Sequence, residues 1–215
     1  MTTTRFKKKA TGLIAVFFAV AGLCLSPLNV LAADVGTPDE ETYYSIVVPD
    51  GNVSQESVDR ANELLNALPE GLLENFVNDG WSIYVTDKDI DSTFFGGQYG
   101  SVMGATLEDL SAIYIEQRSK AIEESTIHEF GHYVDDTEGY LSDTPEFAQI
   151  YNAESAAFVN AFNVNFYYDV HEFWADGFYR YYDGERDALQ RSCPQLYVVY
   201  VFNLSVFDRT ECIIV

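Results

Sequence analysis

His128-Glu129-Phe130-Gly131-His132 is the stretch that decides how this chain is read. On a helix, residues four apart share a face, so His128 and His132 present their rings to one point while Glu129 stands beside it. Two neutral imidazoles with a carboxylate suit Zn2+, which in catalytic sites keeps one coordination position for water. The flanks supply the helical context the motif demands. Ile122, Ile127, Phe130, Tyr133 and Val134 make an apolar face, and no proline interrupts residues 122 to 138. The chain has 3 histidines in all, and two of them fall in this pentapeptide.

A third ligand has to come from elsewhere. The metzincin continuation is absent, because Asp135 and Glu138 stand where Gly and His would be required. Glu172, in Glu172-Phe173-Trp174-Ala175-Asp176, fits as a ligand from a second helix. Asp176, one turn further on, is placed to accept a hydrogen bond from a ligand histidine and so fix its tautomer. Glu154 lacks an acid four residues on and is the second choice. Two plainer readings compete. With Asp169 as cap, Glu172 occupies the third helical position, where a Glu often closes a capping box. His171 as ligand would instead make a three-histidine site.

Composition narrows the partners. The 215 residues carry 12 Lys plus Arg against 34 Asp plus Glu, a net charge of -22, which excludes a phosphate-binding surface and with it nucleic acid. At 47% hydrophobic and 15% aromatic, the chain is a folded one and not an acidic tail. Residues 1 to 33 obey other rules. Arg5, Lys7, Lys8 and Lys9 precede an apolar run from Ala10 to Leu25, and the segment ends in Val30-Leu31-Ala32-Ala33. This reads as a secretory signal peptide, cut after Ala32 or Ala33, in a run too short to span a bilayer. Leu23 before Cys24 argues against a lipidated cysteine. The expectation is a secreted protein with a single domain over residues 34 to 215 and no membrane contact after cleavage. Cys193 and Cys212 are the cysteines left, in a compartment that permits a disulfide between them.

Periodicity gives an α+β order. A strand over residues 45 to 48 precedes a helix capped by Ser54 and stopped before Pro69, then a helix over 70 to 78. Strands follow at 81 to 86 and 112 to 117, separated by a glycine-rich loop from Gly96 to Gly104. Beyond Lys120 the pattern is helical, near 121 to 136, 145 to 162 and 170 to 182, with a further helix after Pro194 capped by Ser192. The expected fold is therefore α+β, with a small mixed α/β N-terminal part and a mainly helical C-terminal part, and the histidine motif on one of those helices makes the reading zincin-like.

With Asp135-Asp136 after the histidine motif and Glu172-Phe173-Trp174-Ala175-Asp176-Gly177-Phe178 further on, the chain resembles the catalytic domain of anthrax lethal factor and the secreted Pro-Pro endopeptidases. The resemblance implies a zinc peptidase fold with Glu172 as the third ligand. It also implies a tyrosine that stabilises the tetrahedral intermediate, seven residues before that Glu. Here that position is Asn165, with Tyr167 and Tyr168 nearby, and either serves after a small shift of the connecting segment. The Pro-Pro endopeptidases carry an acid just before the ligand Glu where this chain has His171, so proline specificity does not transfer.

The expected function is a secreted zinc endopeptidase acting on a peptide or protein substrate, with Glu129 as general base. The alternative is a secreted binding module that keeps the fold without the chemistry. The run from Ser111 to Glu116 reads either as an edge strand bordering the cleft, onto which an extended peptide adds, or as an ordinary internal strand. Tyr99 and Met103 in the glycine-rich loop, with Ile113 and Tyr114 on the strand, are the expected substrate contacts.

Overall fold

A computed structural model describes residues 43 to 164, 169 to 204 and 207. The signal segment, Tyr167, Tyr168 and Cys212 lie outside the described residues, so the expectations resting on them carry forward untouched.

The chain begins with strand β1 (Val47–Asp50), helices α1 (Gln55–Leu65) and α2 (Glu70–Asn78), strand β2 (Ser82–Thr86) and a short helix α3 (Ile90–Phe94). A hairpin of β3 (Gly104–Leu107) and β4 (Ala112–Glu116) follows. Five helices follow among the described residues: α4 (Ser119–Thr137), α5 (Pro145–Phe162), α6 (Val170–Tyr182), α7 (Arg186–Ser192) and α8 (Pro194–Leu204). This is the α+β arrangement that the periodicity and the resemblance point to.

The four strands form one sheet in the order β1-β2-β4-β3, with β1, β2 and β4 parallel and β3 antiparallel to β4. Ile83, Val85, Ile113 and Ile115 have no solvent exposure. They alternate with the less buried Ser82, Tyr84 and Tyr114, and that period of two is what made β2 and β4 legible. Helices α1 and α4 pack on the sheet, and Val58, Ala61 and Leu65 of α1, Leu72, Leu73 and Phe76 of α2, and Ile122, Phe130 and Val134 of α4 share one buried core with its strands. Helix α4 also packs along α6, so it links the sheet to the helical part.

The sheet corrects one expectation. The strand over residues 112 to 116 is interior, between β2 and β3, and the edge belongs to β3. Ile113 is wholly buried in the core, and Tyr114 stacks on Tyr84 with ring centroids 4.9 Å apart. The physical reason is that the end of the glycine-rich stretch does not stay loop: from Gly104 it pairs with β4, Gly104 opposite Ile115 and Leu107 opposite Ala112.

One buried amide ties the first strand to the first helix. Asn62 Oδ1 accepts from the backbone N–H of Ile46 at 3.0 Å and of Val47 at 3.1 Å, while its Nδ2 donates to the Val58 carbonyl at 3.1 Å. Asn62→Ala is therefore expected to lower stability by about 2 kcal/mol, because two strand donors lose their acceptor where water is scarce. Urea denaturation reads this, and a shift under about 0.5 kcal/mol would mean the strand end finds other partners.

Candidate metal centre

Each helix of the centre starts or approaches for a local reason. Asp169 caps α6, its side chain accepting from the N–H groups of His171 and Glu172 at 3.0 Å each, which satisfies two of the donors a helix start leaves open. Gly131 of α4 lets α6 come close: a Cβ there would lie 3.1 Å from the Phe178 Cβ and 3.2 Å from the Ala175 Cα. Trp174 is fully buried between the two helices, and its Nε1 donates to the Gly131 carbonyl at 2.9 Å.

This packing brings His128, His132 and Glu172 together, with one donor atom from each all within 4.8 Å of one another. His128 Nε2 lies 3.3 Å from Glu172 Oε2, and His132 Nε2 lies 3.7 Å from Glu172 Oε1. Two donors on a tetrahedral zinc stand about 3.4 Å apart, so the donor set fits that ion in both chemistry and spacing. His128 Nδ1 meets Asp176 Oδ1 at 2.9 Å, which leaves Nε2 as the nitrogen facing the centre.

Electrostatics follow from the burial. Burial would lower the pKa of His128, but the Asp176 and Glu172 carboxylates outweigh it and hold the ring well above its ordinary value. Of these two carboxylates, Glu172 is the one a divalent cation at the centre would meet. Burial, reinforced by His128, pushes His132 down to about 4, and a neutral imidazole is the form that ligates. Glu172 is held below the usual carboxylate range; burial opposes this, and the hydrogen bond and charge of His128 overcome it. Glu129, beside the pair, is pushed up to about 7, mainly by burial.

The other candidate residues lie apart from the centre. His171, a possible third imidazole, turns to a different group: its Nδ1 lies 2.7 Å from Ser142 Oγ and its Nε2 lies 3.4 Å from Asp143 Oδ1. Asp135, three residues after His132, is buried and accepts from the Ser142 N–H at 3.0 Å and from the Ser142 hydroxyl. Glu154 is buried at the start of α8, where it accepts from the N–H groups of Gln195 at 2.9 Å and Leu196 at 3.0 Å. It does the capping expected of Ser192, which instead ends α7 and donates to the Ala188 carbonyl at 2.8 Å. Tyr99 is 69% exposed in the glycine-rich loop, and Met103 is half-buried.

Two residues at the centre were not foreseen. Thr106 Oγ1 lies 2.9 Å from both the carboxylate Oε2 and the main-chain oxygen of Glu129, and Gly104 lies against the same side chain. The signal available was the alternation in Gly104-Ala105-Thr106-Leu107, too short to separate from the loop before it.

Residues 96–201 match the family model described as anthrax toxin lethal factor, N- and C-terminal domain. Among solved structures, the chain is similar to the Pro-Pro endopeptidase from Paenibacillus alvei, with a TM-score of 0.57 and 19% identity over 73% of this chain and 96% of that one. No curated protein sequence matches. At that identity the structural likeness carries the fold.

Proposed function

Because the chain is lethal factor-like over the segment that holds both helices of the centre, we propose that it is a secreted zinc-dependent endopeptidase. The observation that carries this is the convergence of His128, His132 and Glu172 at zinc-ligand spacing beside the buried carboxyl of Glu129. Zinc bound there would polarise the scissile carbonyl and make its water ligand more acidic. The residues do the rest. Asp176 orients His128 through Nδ1. Glu129 takes a proton from water and returns it to the leaving nitrogen. Tyr167 or Tyr168 donates a hydrogen bond to the oxyanion.

The substrate is a peptide in extended form. The free edge of β3 is the strand that offers backbone donors and acceptors to it, in place of the interior β4. Tyr99 and Met103 then border it from the loop. The 33-residue leader directs the protein out of the cell, and among the described residues no helix is long and apolar enough to cross a membrane.

Metal analysis of the mature protein, combined with mass spectrometry of a diverse peptide library after incubation, tests the reading. One zinc per chain and discrete cut sites are expected. His132→Ala is expected to lose at least about tenfold in zinc affinity, because two ligands remain. A full equivalent of tightly held zinc in that variant would place the metal elsewhere. Bound zinc with no cleavage of any peptide would favour a binding module.

A further inference from the structure

We propose that the Thr106 hydroxyl is the positioning group for Glu129, holding the base in its working orientation from the same edge strand that borders the cleft. The proposal rests on the endopeptidase reading and adds to it a residue outside the metal-binding helices.

Glu129 is 8% exposed, and a buried carboxyl needs a partner in whichever state it holds. Thr106 Oγ1 stands 2.9 Å from Oε2 and 2.9 Å from the main-chain oxygen of the same residue. A hydroxyl has one hydrogen and two lone pairs, so it can answer both states. Facing the carboxylate, it donates to Oε2. Once Glu129 has taken a proton from water on Oε1, Oε2 still accepts from the threonine hydroxyl. No proton leaves Thr106: the one gained from water stays on Glu129 until it passes to the leaving nitrogen. The hydroxyl pairs the carboxyl before and after the transfer, with no need for the side chain to swing.

Gly104 completes the seat. Residues two apart on a strand share a face, so Gly104 and Thr106 point the same way. A Cβ on Gly104 would lie 2.7 Å from Glu129 Cγ, 2.9 Å from its Oε1 and 2.9 Å from the Ser125 Cβ. One side of β3 thus fits closely against Glu129, with no Cβ at residue 104 and a hydroxyl at residue 106.

The test compares Thr106→Val with Thr106→Ser in the zinc-loaded protein, by steady-state kinetics and by crystal structures. Valine keeps the volume and removes the hydroxyl. It is expected to lower kcat about tenfold or more with KM within about twofold and zinc content unchanged, while serine returns kcat to within about threefold of the parent. In the valine crystal structure the Glu129 carboxylate is expected to leave its place beside residue 106. A loss carried by KM, a serine variant as impaired as valine, or an unmoved carboxylate would each overturn the proposal. The crystal structures decide it even if the parent chain cleaves no peptide, an outcome that would instead overturn the endopeptidase reading.

Discussion

Glu129→Gln is expected to retain a full equivalent of zinc and to lose peptidase turnover by about a thousandfold. The substitution leaves His128, His132 and Glu172 in place and keeps the side chain's volume against Gly104, so the metal has no reason to leave. It removes the carboxyl proposed to carry a proton from water to the leaving nitrogen. In the metal-free chain burial raises the Glu129 carboxyl to about 7, so this side chain can take up and release a proton near neutral pH. An amide has no such equilibrium. Elemental analysis and kcat of the same preparation check the result, and turnover within about tenfold of the parent would remove Glu129 from the chemistry.

The second large effect is on stability. Trp174→Ala is expected to cost about 4 kcal/mol, near the upper end for a single core truncation. The ring has no exposure and packs on Phe147 at 5.6 Å and Tyr200 at 5.1 Å between centroids. Its Nε1 also satisfies the Gly131 carbonyl between the two motif histidines, and its own carbonyl accepts from the Tyr200 hydroxyl at 2.6 Å. Removal therefore opens a cavity between α4, α6 and α8. Trp174→Phe keeps most of the volume and loses the indole donor, so about 1 to 2 kcal/mol is expected. Urea unfolding of the metal-free chains separates the two contributions, and equal losses for Ala and Phe would assign the whole effect to the hydrogen bond.

What could be read from the chain, and what could not, divides along range. The helices at residues 70 to 78, 145 to 162 and 170 to 182 were legible to the residue, because Pro69, Pro145 and Asp169 mark their starts and apolar spacing marks their faces. The histidine pair and Asp176 were legible for the same reason: each is a statement about one helix. Bringing Glu172 to the pair is a tertiary fact, set by the clearance at Gly131, and the sequence left it open against Glu154 and His171. Strand β3 escaped because four residues with a glycine at one end carry too little pattern to stand apart from the loop before them. With β3 went Thr106 and Gly104, whose meaning appears only once the hairpin returns them to Glu129, more than twenty residues away in sequence. The edge reading of β4 failed by the same omission.

The cap at Asp169 has a consequence for how this chain can vary in length. Glu172 reaches the centre because α6 starts where Asp169 starts it, and Asp176 follows one turn later on the same face. Adding or deleting one residue between Asp169 and Glu172 rotates the face by about 100° and carries a neighbour of Glu172 into its place, and the same change between Glu172 and Asp176 displaces Asp176 instead. A change ahead of Asp169 leaves the helix to begin at the same cap, with its frame intact. Insertions and deletions among natural variants should therefore gather before Asp169 and be missing from the eight residues it governs.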